Sequence, residues 1–238
     1  MLTRPRVESN PTATVADQFD LARLERAGVR VAERRYGAGD LIFVPGDPDE
    51  QLYFLLDGTV RLYTLYGSYK QATVALLKDG GVFGELSLKE KSSQRCFAKA
   101  VSGARVAVVR KTSLVELVRR DPAFAVTLLS SLSERVAQSE AALDSLLSRE
   151  VSARLTRLLL NLGERFGKIT ASGIVLDVRL THQDLSEMIF STREAVSKAM
   201  SAFQREGLIE VRNRRICITP LLTEDAARPP SQVLNGAR

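Results

Sequence analysis

The chain's 238 residues are 45% hydrophobic and 26% charged, with only 15 glycines. That balance fits one large or two small globular domains and excludes a disordered or collagen-like chain. A formal net charge of +6 leans toward a polyanionic partner, while one histidine (His182) and two distant cysteines (Cys96, Cys217) leave no ordinary zinc site and little room for a metallo- or triad hydrolase.

Residues 1–18 are polar, carry Pro5 and Pro11, and read as a flexible N-terminal arm. Arg4, Arg6, Glu8 and Asn10 stand where a signal peptide would place an apolar core. No run approaches the roughly 18 apolar residues of a membrane helix, and the cysteines outline no disulfide framework. A reducing cytoplasm without a membrane partner is the expected setting.

From Val29 to about Val109 turn formers recur at short intervals: Gly37, Gly39, Pro45-Gly46, Asp57-Gly58, Gly67, Asp79-Gly80-Gly81, Gly84 and Ser102-Gly103. Between them lie β-rich runs: Leu41–Val44, Leu52–Leu56, Val60–Tyr63, Ala72–Leu77 and Arg105–Val109. Short strands with regular turns and no room for helical crossovers predict a sandwich, barrel or jelly roll over residues 19–121.

No glycine or proline interrupts Ala123–Leu162, which therefore reads as helix. Over residues 122–149 the positions Ala125, Leu129, Leu132, Val136, Ser139, Leu143 and Leu146 step alternately by four and three. That seam is the pattern of a two-helix coiled coil and predicts a homodimer; the alternative is a helix lying on its own domain's core. After a break near Ser148-Arg149 a second helix runs from Ser152 to about Phe166. A loop over Gly167–Gly173, a strand over Ile174–Leu180, two short helices and a hairpin near 208–218 complete a small domain over 150–219. The tail 220–238 is expected to be disordered.

Thr181 and Asp184 resemble a capping box opening a helix whose inner face is Leu185, Met188 and Ile189. Phe190-Ser191 makes a short turn, and Ser191 or Thr192 caps a second helix that buries Val196, Ala199 or Met200, and Phe203. Arg193, Glu194, Ser197, Lys198 and Ser201 then share its outer face. Two short helices with a tight turn form a helix-turn-helix, whose second helix enters the DNA major groove. Arg193 can bond guanine O6 and N7, Glu194 can accept from cytosine N4, and Lys198 adds a guanine or phosphate contact. Arg212, Arg214 and Arg215 at the hairpin tip read as a wing on the phosphate backbone, with Thr181, Gln183, Ser191, Thr192 and Ser197 completing the predicted DNA contacts. The plainer alternatives are that Glu194 closes a second capping box with Ser191 and that the arginines form a solvated turn.

The whole chain from about residue 20 to 219 resembles the cAMP receptor protein/FNR family of bacterial transcription regulators. The resemblance rests on Pro45-Gly46-Asp47, Tyr53–Gly58, Phe83-Gly84-Glu85-Leu86-Ser87-Leu88, Arg95 and Thr192-Arg193-Glu194-Ala195-Val196. It implies an α+β architecture: an N-terminal double-stranded β-roll of the cyclic-nucleotide-binding type, a long dimerisation helix and a C-terminal winged helix-turn-helix. It further implies a non-enzymatic dimer on a palindromic, TGTGA-like double-stranded DNA operator, acting through RNA polymerase. Lys198 stands where the cAMP receptor has a second Arg, and Phe190 where the family has the glycine of the turn. Phe190 must therefore either avoid positive φ or be strained. The Gly167–Gly173 loop falls where the family touches polymerase.

By the same resemblance Gly84, Glu85, Leu86, Ser87, Arg95 and Cys96 line a cAMP pocket, with Ser139 from the dimer helix. Glu85 can accept from a ribose 2′-OH and Arg95 can pair with the cyclic phosphate. Arg135 and Glu140 also resemble the nitrogen-control branch, which binds 2-oxoglutarate. That branch has an apolar residue at the place of Glu85, whose carboxylate would repel a dianion, so cAMP is the preferred effector. A ligand-independent protein, with Glu85 paired to Arg95, is the third reading. The N-terminal arm holds no cysteine cluster for an iron–sulfur centre, no paired haem ligands stand out, and no metal is expected.

Overall fold

The computed structural model describes residues 28–48, 50–67, 70–85, 92–147 and 150–227, with the backbone alone for 115, 141–147 and 224–227. The expectations for the arm at 1–18, for Leu86 and Ser87, for the side chains of Leu143 and Leu146, and for the tail beyond 227 lie outside the described residues.

Strands β1 (Val31–Tyr36), β2 (Leu41–Phe43), β3 (Gln51–Asp57), β4 (Val60–Tyr66), β5 (Lys70–Leu77), β6 (Val82–Phe83), β7 (Phe97–Ala100) and β8 (Ala104–Arg110) come first. Helices α1 (Lys111–Arg120), α2 (Pro122–Leu147) and α3 (Val151–Phe166) follow. Then come β9 (Gly167–Thr170), β10 (Gly173–Leu176), α4 (His182–Met188), α5 (Arg193–Arg205), β11 (Ile209–Arg212), β12 (Arg215–Ile218) and α6 (Pro220–Ala227). The three sheets have strand orders β1-β8-β3-β6, β2-β7-β4-β5 and β11-β12-β10-β9. The first two form the β-roll and the third belongs to the winged helix-turn-helix, as the resemblance implies. Two compact units divide the chain: one runs to Val60 and takes Leu77–Arg95 and Lys99–Ser133, the other takes Arg61–Leu76, Cys96–Ala98 and the chain from Glu134.

In the first unit β3 is covered on both faces, which is why Leu52 to Leu55 are all apolar. Leu52 and Phe54 pack with Val29, Val82, Ala107, Val109, Leu114, Leu117 and Phe124. Tyr53 points the other way, its ring 5.2 Å from both Phe43 and Phe83. Asp57-Gly58 turns the chain with Gly58 at φ 101°, where a Cβ would lie 2.2 Å from the Gly103 carbonyl oxygen, so only glycine fits.

Helix α2 has one packed stripe and one open stripe. Phe124, Thr127 and Ser131 are buried, and Phe124 stands 6.0 Å from Phe54. The opposite stripe is open: Val126 is 65% exposed, Leu129 63% and Val136 57%, while Leu132 is half-buried.

Several expectations need correction. Gly167–Gly173 is a hairpin, with Gly173 facing Thr170 and Leu176 facing Gly167, and the strand predicted over Ile174–Leu180 stops at Leu176. The tail is helical over Pro220–Ala227: Pro220 opens α6, where its missing N–H costs nothing, and Leu222 is fully buried. Helix α1 and strands β1, β6 and β7 were not predicted.

Candidate DNA interface and effector site

The first helix of the helix-turn-helix starts as expected. The Asp184 amide donates to Thr181 Oγ1 at 3.1 Å, and Asp184 Oδ2 accepts from the Thr181 amide at 2.8 Å and from its hydroxyl at 2.6 Å. Leu185 and Ile189 are buried, and so is Ser186, whose hydroxyl donates to the Gln183 carbonyl at 2.8 Å.

The turn holds Phe190 at φ 52°, so the strained alternative is the one realised. The Ser191 amide donates to the Ser186 carbonyl at 2.9 Å. Arg154, reaching from α3, donates to the carbonyls of Ile189 at 2.8 Å and Phe190 at 3.3 Å. Arg154 was missed by sequence reasoning; its signal was a cation one helix away from carbonyls that end a helix.

Thr192, not Ser191, caps α5 by accepting from the Ala195 amide at 3.2 Å. Glu194 is therefore not the distal half of a Ser191 capping box. Val196, Met200 and Phe203 are buried, leaving Arg193, Glu194, Lys198 and Ser201 exposed. Among the described residues none of Arg193, Glu194 and Lys198 has an ion-pair partner. Ser197 departs from the expected outer face: it is half-buried, with Oγ 2.8 Å from His182 Nδ1.

The wing turn is a two-residue connection with Asn213 at φ 51° and Arg214 at φ 60°, the signs a type I′ hairpin requires. Arg212 pairs with Glu210 at 2.7 Å, and Arg215 pairs with Asp177 at 2.7 Å, beside Lys168 at 2.5 Å. The Lys168 hydrogen bond first, against the opposing effect of burial and with further help from Lys168 and Arg215 charge, holds the Asp177 carboxyl below the usual carboxylate range. Arg214 is exposed and has no such partner among the described residues. Of the three wing arginines it is the one with an uncommitted charge.

In the first unit, Gly84 sits at φ 105°, where a Cβ would stand 3.1 Å from the Gln51 carbonyl oxygen and 3.2 Å from the Tyr53 ring. Next to it Glu85 is half-buried, and its amide donates to Gln94 Oε1 at 3.1 Å. Gln94 is buried; its amide donates to the Asp47 carbonyl at 3.0 Å, and its own carbonyl accepts from the Gly46 amide at 2.9 Å. Gln94 thereby joins the Pro45-Gly46-Asp47 turn to Gly84-Glu85, a role that a lone glutamine does not signal in a sequence. Arg95 is exposed, and no ion pair joins it to Glu85.

In the second unit Cys96 and Arg135 are half-buried, and Ser139 and Glu140 are exposed. The Ser139 hydroxyl bonds back to the Arg135 carbonyl at 3.1 Å. Among the described residues no three His, Cys, Asp or Glu side chains are grouped to hold a metal ion, and no helix is long and apolar enough to cross a membrane.

Comparison with known proteins matches two separate stretches of the chain. A family model described as a Crp-like helix-turn-helix domain matches residues 153–221, and one described as a cyclic nucleotide-binding domain matches residues 33–121. The chain is 34% identical over 179 residues to the global nitrogen regulator of a Nostoc species, spanning 74% of this chain and 80% of that protein. It is 29% identical over 178 residues to a cyclic AMP receptor protein of Thermus thermophilus, spanning 75% and 79%. A solved CRP-family transcriptional regulator of Thermus thermophilus superposes with a TM-score of 0.69 at 27% identity, over 82% of this chain and 97% of that one.

Proposed function

Since the chain belongs to the CRP/FNR family of transcription regulators, we propose that it acts as a homodimer on a palindromic, TGTGA-like operator under control of a small anionic effector. The family is one of DNA-binding regulators and not of enzymes. The observation that carries the reading is the uncommitted Arg193, Glu194 and Lys198 face of α5, beside a wing tipped by Arg214. Side chains with no ion-pair partner among the described residues can turn to base edges and phosphates. The open Val126, Leu129 and Val136 stripe of α2 supports self-association, and a two-fold dimer reads a two-fold operator. From the bound operator the dimer acts through RNA polymerase.

For the effector, cAMP is the first candidate. Arg95 offers a cation to the cyclic phosphate, and Glu85 an acceptor to the ribose. A second reading, 2-oxoglutarate, is favoured by the higher identity to global nitrogen regulators, 34% against 29% for the cAMP receptor. The repulsion between Glu85 and a dianion opposes it.

Fluorescence anisotropy on a TGTGA-type palindrome decides, run at fixed salt without ligand, with cAMP and with 2-oxoglutarate. Tightening by cAMP alone, abolished in Glu85→Gln and Arg95→Met, is the expected result. Tightening by 2-oxoglutarate alone transfers the site to the second reading. Tight binding indifferent to both leaves a constitutive regulator, and no binding in any arm rejects the DNA reading.

A further inference from the structure

Within the second unit, β4 carries an arginine among apolar neighbours. Arg61 is only 5% exposed, between the buried Val60 and Leu62. Its guanidinium lies 4.6 Å from the centroid of the Tyr63 ring, two residues on along the same strand face. Nη2 donates to Gln71 Oε1 on β5, and Nη1 pairs with Glu187 Oε2 on α4, with Asp184 Oδ1 at 3.5 Å. A cation this deep is tolerated only if its charge is met, and the Glu187 side chain that meets it is itself 10% exposed.

The second oxygen of each carboxylate is also committed. Glu187 Oε1 accepts from Gln183 Nε2 at 2.8 Å. Asp184 Oδ2 accepts from the amide and hydroxyl of Thr181. Each acid is thus a bridge, with one oxygen on Arg61 and the other on a residue expected to meet the DNA phosphates. Thr181 and Gln183 remain exposed, so the arrangement leaves that edge of the reading domain open. It also answers an electrostatic problem: two carboxylates three residues apart on α4 would otherwise repel the polyanion that the helix start has to approach.

We infer that Arg61 is a positioning residue for DNA binding, neutralising Asp184 and Glu187 so that they hold Thr181 and Gln183 against the phosphate backbone. The inference rests on the DNA reading above. Phosphate contacts carry no sequence information, so losing their support weakens binding to every duplex alike.

The test uses the full chain, the TGTGA-type palindrome and a random duplex of equal length. Active fraction comes from stoichiometric titration, and folding from thermal unfolding. Arg61→Met is expected to weaken both duplexes by about tenfold at unchanged active fraction. In Arg61→Met/Glu187→Met no charge of the Glu187 pair is left stranded, and the double variant is expected to recover to within about threefold of the parent, a non-additivity that a purely additive role would not produce. Should Arg61→Met fail to fold, Arg61→Lys and Glu187→Gln keep the volume and are expected to cost about threefold each on both duplexes. Unchanged binding in the folded variants overturns the inference, as does a loss confined to the palindrome. Tighter binding also overturns it, and marks the contact as inhibitory. Failure of the parent to bind either duplex is a different result, which falls on the DNA reading itself.

Discussion

Phe190 shows how one residue's backbone is dictated by its neighbours. A left-handed conformation costs a side-chain-bearing residue about 1–2 kcal/mol. It persists here because the Ser186 carbonyl takes the next amide and Arg154 takes the two carbonyls before it. The ring of Phe190 stands 6.4 Å from the Tyr66 ring, within the range of an aromatic pair, but is more than a third exposed, so its packing offsets only part of the strain. Phe190→Gly is therefore expected to stabilise the protein by about 1 kcal/mol, seen as a higher melting temperature, with operator affinity within threefold of the parent. A lower melting temperature would show that ring packing matters more than φ. The conflict was legible in the sequence, because a bulky residue occupied a turn that wants glycine. The His182–Ser197 bond was not, since a serine on a helix gives no sign of which neighbour it will turn toward. For Glu194 the alternatives were separated only by seeing Thr192, and not Ser191, accept the capping bond.

At the scale of elements, α2 carries two stripes with different consequences. Leu129→Glu places a charge on the open stripe, and sedimentation is expected to show monomer while protomer melting changes little. Phe124→Ala empties a site in the packed stripe and is expected to cost about 3–5 kcal/mol in denaturant unfolding. The heptad spacing made the open stripe readable, and the packed stripe shows that the helix also lies on its own core. Strands with apolar runs were equally plain. β1 was not, because Ala32 to Arg35 are exposed at a sheet edge, and β6 has only two residues to show a pattern. β9 hid for a related reason: Lys168, Ile169 and Thr170 all face solvent, and a strand with nothing to bury leaves no alternation.

Over the whole molecule the net charge of +6 favours a long-range attraction to a polyanion, while in the proposed function a few side chains set which sequence is held. These contributions separate by mutation. Arg193→Ala is expected to lose about 1–3 kcal/mol on the palindrome and much less on random DNA, while Arg214→Ala weakens both alike and makes the salt dependence shallower. Anisotropy titrations across a salt series measure both. Helix α6 bears on a practical matter at this scale. The matched reading domain ends at residue 221, yet Leu222, one position later, is wholly enclosed. A purification handle or reporter joined right after Thr219 would delete that anchor and leave a void beneath it. The same handle joined beyond Ala227 leaves the plug in place, so where a fusion is spliced decides whether the tagged protein is the one under study.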